Sequence, residues 1–329
     1  MYQPASNATT SASLTHLATV YYNRTAEDAL RTTFMFWKGV EDRILPKRNG
    51  PTVQFFRRAN FGANTTPKVE GQVGTGLTMT TSNFTATISQ YADFGTVSDL
   101  LDDTSISDEV AALADQLGYR GGLTADNLVK AEVDGAAASI DLPLLGSFYS
   151  AADARNARHS LQGLNIRPKS SDGYFEALIH PYVSYDLLND PSAGGFQDII
   201  KRPGSVSNNR LFTLEDRGYI GAVGGVRFWE TTNVTQVSGT PNKWRVYYFG
   251  EGGLAAIDLA GRGPSRVMRP GKPNNERFRV NVFRPGLSVA DPEGVIRGVV
   301  SYNFVFVAKL LDTTNYRIRK TDAPSSIVP

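Results

Sequence analysis

Three histidines, His16, His159 and His180, are the natural starting point for a metal or proton-transfer site. They stand far apart and none lies in a His-x-x-x-His pattern, whereas a zinc or non-haem iron centre wants two or three of them with a carboxylate. His180 precedes Pro181 at the end of an apolar run, which suits a turn or hydrogen-bonding role. The segment Gly250-Glu251-Gly252-Gly253-Leu254-Ala255 has the form of a Gly-x-Gly-x-x-Ala dinucleotide turn after a strand ending at Phe249. That fingerprint also needs a helix whose N-terminus holds the pyrophosphate. Here the candidate helix is cut off by Gly261-Arg262-Gly263-Pro264 after about two turns, so a surface turn between strands is the favoured reading. No phosphate loop of the Gly-x-x-x-x-Gly-Lys-Ser/Thr type and no Gly-x-Ser-x-Gly elbow occurs. No catalytic residue, metal ligand or cofactor is assigned, and the chain is read as a non-enzyme.

The paired carboxylates Asp102-Asp103 and Asp108-Glu109 could serve acid/base chemistry or bind a cation. They sit where a helix begins, and acids there are stabilising for electrostatic reasons alone. Arg57-Arg58, flanked by Phe55, Phe56 and Phe61, could stack on single-stranded nucleic acid. Neighbours in a strand point to opposite faces, however, so the two arginines do not form one patch. An amphipathic arm docking on protein is preferred. These charges are segregated. Pro46 to Gln90 holds Lys47, Arg48, Arg57, Arg58 and Lys68 against the single acid Glu70. Tyr91 to Tyr119 holds Asp93, Asp99, Asp102, Asp103, Asp108, Glu109 and Asp115 with no Lys or Arg. Such adjacency of opposite charge suggests a chain that meets copies of itself.

The elements that must position these residues follow from pattern. Tyr21 to Val40 reads as a helix weakened at its end by Gly39 and packing on something else. Thr52 to Arg58 and Thr78 to Tyr91 read as two strands, the second alternating Phe84, Ala86 and Ile88 with Thr85, Thr87 and Ser89. Between them Phe61 to Gly76, rich in Gly, Thr, Asn and Pro, is a long functional or mobile loop. This hairpin has too little apolar surface to bury by itself. Ser98 to Asp134 is the main helical region, with Ser107 as N-cap and a bend or break expected at Gly121-Gly122. Beyond it, Ala151 to Leu161 and Tyr182 to Leu188 read as helices. Phe175 to His180, Gly225 to Phe228, Trp244 to Phe249, Phe278 to Phe283 and Val295 to Leu311 read as strands. In the last, Val300, Tyr302, Phe304 and Phe306 share one face. Asp312 to Arg319 continues it weakly, and Thr321 to Pro329 reads as a loose tail.

Composition bounds the class. The 329 residues can bury a sizeable core. A net charge of +2 does not advertise tight nucleic-acid binding. The 31 Gly and 17 Pro fit a turn-rich, β-rich body. Cysteine is absent, which excludes disulfides and thiolate sites and points to a reducing compartment. Residues 1–15 lack the basic start and apolar core of a signal peptide. No apolar run approaches the roughly 20 residues needed to span a bilayer.

A series of short blocks then becomes specific through its order. These are Leu45-Pro46-Lys47, Asn49-Gly50, Thr52-Val53-Gln54-Phe55, Thr66-Pro67 with Glu70-Gly71, and Ala86-Thr87-Ile88-Ser89-Gln90-Tyr91 with Asp93-Phe94 and Ser98-Asp99. Later come Ala177-Leu178-Ile179-His180-Pro181, Tyr185-Asp186-Leu187, Gly225-Val226-Arg227-Phe228 and Glu230-Thr231-Thr232-Asn233. Over Tyr21 to Arg319 the chain resembles the major capsid proteins of tailed bacteriophages with the Hong Kong 97-type fold, most of all the N4-like coat-protein branch.

The resemblance implies an α+β fold with an N-terminal arm over residues 1–45 and an extended hairpin loop over 46–91. It implies a peripheral domain over 92–140 and 293–320 with a long spine helix, an axial domain over 141–292, and a tail over 321–329. It implies a coat protein forming hexamers and pentamers of an icosahedral shell around double-stranded DNA, assembled in the host bacterial cytoplasm and residing in the virion. The partners implied are the chain itself, a portal protein, a separate scaffolding protein, a decoration protein and DNA held by weak non-specific contact, with no membrane. Intersubunit contacts are expected from Trp37, Lys47, Arg48, Phe55, Arg57, Arg58, Phe61 and Lys68 on one side. On the other are Asp99, Asp102, Asp103, Asp108, Glu109 and Asp115. The alternatives are an encapsulin-type compartment of the same fold, a nucleotide-dependent enzyme using the Gly250 turn, and a β-rich carbohydrate-binding protein.

Overall fold

A computed structural model of the chain describes residues 35–48, 50–58, 61–68, 70–71, 73, 76–136, 140–170, 172–191, 218–239, 241–259, 279–283, 297–311 and 317–326. Its organising element is the 14-residue strand β12 (Arg297–Leu310). On one edge it pairs antiparallel with β4 (Ser89–Ser98) from Ser98↔Arg297 to Ser89↔Phe306. Phe306 also pairs with Asp258 of β10 (Leu254–Leu259), and Tyr302 with Val280 of β11 (Arg279–Phe283). Both β10 and β11 therefore lie along the opposite edge. β1 (Glu41–Leu45) completes this sheet, parallel to β10.

One face of the sheet is covered by a helix. Val300, Tyr302, Phe304 and Phe306 alternate along β12 and are buried, as their period-2 spacing predicts. Tyr91 stacks on Phe304 at 5.5 Å. α1 (Asp99–Thr104) leads into α2 (Glu109–Asp134), 26 residues and about 39 Å long. The buried stripe of α2 runs Val110, Ala114, Leu117, Gly118, Gly121, Gly122, Ala125, Val129 and Val133. Gly95 of β4 lets the helix approach, since a methyl there would stand 2.7 Å from the Leu113 side chain.

The expected break at Gly121-Gly122 does not occur: α2 is continuous. Its three glycines lie on the face buried against the body. A cost of about 1 kcal/mol each relative to alanine is outweighed by tertiary packing, which supplies most helix stability in proteins. Nor is Ser107 the N-cap. Asp108 holds that position, accepting from the Ala111 N–H at 3.1 Å, while the Ser107 hydroxyl is engaged by Glu109.

A second sheet runs β13-β9-β5-β7-β6, with β8 at the start of β9. These strands are β5 (Phe175–Ile179), β6 (Tyr219–Val223), β7 (Val226–Glu230), β8 (Gln236–Val237), β9 (Lys243–Phe249) and β13 (Ile318–Pro324). β5 is buried along its whole length, flanked by α3 (Ala151–Gly163) and α4 (Pro181–Leu188). The loose tail expected from Thr321 is thus corrected over Thr321–Pro324. These residues belong to β13, in register with β9 from Ile318↔Phe249 to Pro324↔Lys243. Polar residues hid the strand: Lys320 is only 4% exposed, satisfied by Asp141 at 3.3 Å. The boundaries expected at 141–292 are crossed twice, because β10 and β11 join the first sheet and β13 joins the second.

Two further expectations change. Of the helix expected over Tyr21 to Val40, residues 21–34 lie outside the described residues. The remainder is one 3-10 turn, Phe36–Gly39, followed by extended Val40. Gly39 packs so closely on the Phe249 ring that a side chain would overlap it, and Phe36 is buried against Tyr247 and Phe249. The single strand expected over Thr78 to Tyr91 is two. β3 (Thr81–Thr87) pairs with β2 (Thr52–Arg58), and after Ile88 the chain enters β4 in another sheet.

The hairpin root is held by a small apolar cluster of Leu45, Ala86, Ala255 and Ile257, with Val53, Phe55 and Ile88 against it. The Gly250 segment turns from β9 into β10, a strand where the dinucleotide reading requires a helix. Gly252 has φ +70° and donates its N–H to Glu41. Among the described residues no helix is long and apolar enough to cross a membrane.

Candidate assembly surfaces

The β2–β3 hairpin presents its side chains in strand alternation. Phe55 is half-buried toward the body, with the Arg43 guanidinium 5.4 Å from its ring centroid. Phe56, the next residue, faces outward and is 68% exposed. Arg58 shares that outward parity and is exposed. Arg57 lies between them in β2. Lys47, Arg48 and Lys68 are exposed, and Phe61 is exposed at the start of the tip. At the hairpin root a cleft of about 500 Å³ is lined by Arg43, Phe55, Phe56, Arg58, Phe84 and Arg317, among others. Its walls combine guanidinium groups with aromatic rings. Trp37 does not join this surface. It is half-buried against the chain's own core, and its carbonyl accepts from Lys169 at 3.3 Å.

The acidic residues gather around α1 and the start of α2. Ser98 caps α1, its hydroxyl accepting from the Leu101 N–H at 3.3 Å, and Asp99 accepts from the Leu100 N–H at 2.7 Å. Asp108 caps α2. Glu109 accepts from Ser107 at 2.6 Å and from Ser105 at 2.7 Å, and those two hydrogen bonds hold its carboxyl below the usual value. Asp102 is half-buried, whereas Asp103, Asp108 and Asp115 are exposed.

Sequence reasoning missed the apolar residues among them. Leu100, Leu101 and Ile106 are 70%, 48% and 108% exposed. A signal existed: Leu100, Leu101 and Ile106 are large apolar residues standing inside a run of acids.

The geometry separates the two charge groups within one chain. The hairpin ends at Thr87 and the acidic segment begins at Asp99, with the ten residues of β4 between them. At roughly 3.3 Å per residue that strand spans about 33 Å. α2 then runs back over the sheet, Leu113 near Gly95 and Arg120 bridging Asp93 at 2.6 Å. Asp99, Asp102, Asp103, Asp108 and Glu109 therefore stay near the end of β4 remote from the hairpin, and Asp115 lies on the part of α2 that runs back over the sheet.

The chemistry-bearing residues of other types lie elsewhere. His180 caps α4, its Nδ1 accepting from the Tyr182 N–H at 3.2 Å, and stacks on Trp244 at 5.2 Å. Burial holds its pKa below the usual histidine value. His159 is exposed on α3, and His16 lies outside the described residues. Among the described residues no three His, Asp or Glu side chains are grouped to hold a metal ion.

Comparison with known proteins places this architecture. No family model and no curated protein matches the chain. Among solved structures, the capsid of Ralstonia phage GP4 superposes with a TM-score of 0.66 at 12% identity, covering 90% of this chain and 92% of that one. The cyanophage Pam1 capsid subunit gives 0.60 at 15% identity, covering 85% and 86%. The chain has the Hong Kong 97-type capsid fold. A virus-like particle from Pyrococcus furiosus also matches, with a TM-score of 0.50 at 13% identity over 92% of this chain and 98% of that one. The likeness covers 85–92% of this chain across these three structures.

Proposed function

We propose that the chain is the major capsid protein of a tailed bacteriophage, a structural protein that assembles with copies of itself into the icosahedral head. The observation that carries this reading is the near end-to-end likeness to phage capsid subunits, 90% of this chain against 92% of the Ralstonia phage GP4 capsid chain. The first sheet with α2 is the peripheral body, the second sheet is the axial body facing the five- and six-fold axes, and β2–β3 is the loop laid over a neighbour. The basic loop of one copy meets the acidic α1–α2 segment of the next. The length of β4 between the two supports contact between copies, because a chain cannot easily bring its own loop onto its own α1.

Exposed ion pairs are worth only about 0–1 kcal/mol each, so complementary charge sets register. Strength comes from apolar anchors such as Phe56 with Leu100, Leu101 and Ile106. The shell resides in the virion, is assembled in the host cytoplasm with a separate scaffolding protein, and carries a portal protein and a decoration protein. A net charge of +2 leaves packaged double-stranded DNA only weakly held.

The likeness to a virus-like particle from Pyrococcus furiosus is compatible with a second reading, an encapsulin-type shell enclosing protein cargo. Sedimentation and electron microscopy of the purified chain test both. Megadalton shells are expected, and a stable 35.8 kDa monomer under all conditions overturns them together. Packaged DNA in shells from infected cells then selects the phage head, and enclosed protein selects the compartment.

A further inference from the structure

Away from the loop and the acidic segment, one side of α2 carries three ionisable side chains in a row, Asp126, Lys130 and Asp134, each about one turn from the next. All three engage the link between β7 and β8. Asp134 accepts from the Thr235 hydroxyl at the end of that link, and from Arg245 at 2.8 Å and Tyr247 at 2.9 Å on β9. Asn233, in the middle of the link, stands 103 residues from Lys130 in the chain. Its backbone is held locally, the N–H donating to the Thr231 hydroxyl at 3.2 Å.

The Asn233 side chain is gripped at both of its polar atoms. Its Oδ1 accepts from Lys130 Nζ at 2.9 Å, and its Nδ2 donates to Asp126 Oδ2 at 2.7 Å. Asp126 is fully buried, and its Oδ1 accepts from the Phe36 N–H at 2.7 Å. Lys130 and Asn233 are half-buried. A primary amine therefore stands against the oxygen of a carboxamide, one bond from the carbon it can attack. A carboxyl group stands against the nitrogen that would leave.

From this arrangement we propose that Lys130 and Asn233 become joined by an amide bond, formed by the chain itself with Asp126 as the proton carrier and with release of ammonia. The step balances without a co-reactant. The Lys130 ammonium passes one proton to the Asp126 carboxylate and becomes an amine. Its Nζ lone pair attacks Asn233 Cγ, forming the new C–N bond and placing negative charge on Oδ1. Asp126 gives its proton to Nδ2 as the Cγ–Nδ2 bond breaks and the carbonyl re-forms. The attacking nitrogen then yields a proton to Asp126. The products are a secondary amide, ammonia and a protonated carboxyl, with the summed charge unchanged.

Attack of a free amine on an amide is slow in water, and the fold supplies what lowers that barrier. Holding the two groups together turns an encounter into an internal step, worth an effective concentration of roughly 10⁵–10⁸ M when they are well aligned. Lys130 is fixed on a long helix and Asn233 on a link tied down on both sides of it. Burial also lifts the Asp126 carboxyl from its ordinary 3.8 to about 7, against the pull of its hydrogen bonds and of Lys130, so it can take and return a proton near neutrality. Cysteine is absent, so a disulfide cannot serve in place of this bond. The amide ties α2, which covers the first sheet, to the second sheet. In a shell it braces each subunit internally; that consequence rests on the shell reading, and the bond itself does not.

Mass spectrometry of the purified full chain tests it, whether or not shells form. Wild type, kept folded for several days at mildly alkaline pH, is expected to lose the mass of one ammonia and to give, after trypsin, a branched peptide joining Lys130 to Asn233. The branched peptide separates this bond from closure of Asn233 on its own backbone, which releases the same ammonia. Lys130→Arg keeps a positive donor without a nucleophilic amine. It should retain the full mass of its sequence and migrate differently from wild type in a denaturing gel, because its chain is not closed into a loop. Asp126→Asn should slow the bond by about a hundredfold. Folded wild type without the branched peptide overturns the proposal, and an unchanged rate in Asp126→Asn overturns the part given to that carboxyl. If either variant fails to fold, the wild-type peptide decides alone.

Discussion

At the scale of single residues, the chain shows how a small side chain or a charge can be placed for reasons that composition does not reveal. Gly39 allows the 3-10 turn to press on the Phe249 ring. Gly39→Ala is expected to destabilise the subunit by about 1–3 kcal/mol, the usual range for overpacking a filled core. Thermal denaturation reads this as a lowered midpoint, and an unchanged midpoint would mean that the seat of Phe36 adjusts freely. Arg58 gives the opposite kind of prediction. It is exposed on β2 beside outward-facing Phe56, so Arg58→Glu should leave the denaturation midpoint within about 1 kcal/mol of wild type in stability terms while reducing shell yield in sedimentation. Wild-type yield would remove the charge complementarity from the assembly reading. The residues that sequence reasoning chose divide along the same line. Arg58, Phe61 and Lys68 are exposed on the hairpin, but Phe55 packs toward its root and Trp37 against the chain's own core, because a large aromatic in an arm looks the same whether it anchors at home or on a neighbour.

At the scale of elements, the strands and helices whose periodicity was clean were legible, and those with mixed functions were not. β2 follows its expected bounds from Thr52 to Arg58, and β12 shows the expected apolar face. β13 escaped because its sequence Ile318-Arg319-Lys320-Thr321-Asp322-Ala323-Pro324 buries a lysine and a threonine that only tertiary partners satisfy. The glycines of α2 argued locally for a break, and only packing against the first sheet explains their continuity. The hairpin tip is the element with the least reason to matter for the fold, since the apolar cluster that secures the hairpin lies at its root around Leu45, Ala86 and Ile257. Deleting residues 61–76 should therefore leave a subunit with wild-type circular dichroism that no longer forms shells. Loss of the folded signal would show that the tip stabilises its own chain, and normal shells would show that it has no part in assembly.

At the scale of the whole molecule, fold and charge layout make a joint statement about which surfaces meet. The loop and the acidic segment adjoin opposite ends of β4, a strand of about 33 Å, so in the contact proposed above each copy would offer one donor surface and one acceptor surface. Such a heterologous contact propagates into rings when the rotation between copies closes. It can also be dissected with two defective chains. One lacks residues 61–76 and keeps its acidic segment; the other carries Leu100→Ser, Leu101→Ser and Ile106→Ser, which remove the apolar anchors of that segment, and keeps its loop. Leu100, Leu101 and Ile106 are exposed in the subunit, and surface substitutions change stability little, so the second chain should stay folded. Neither chain alone can complete the contact between like copies. Mixed in equal amounts, the two should form a complex of about twice the monomer mass but no shell, because each pair satisfies one contact and offers no competent surface for the next. Analytical ultracentrifugation distinguishes the outcomes. Pairs in the mixture and monomers in each separate sample support contact between copies through these two surfaces, whereas monomers in all three samples would place the assembly contacts elsewhere on the molecule.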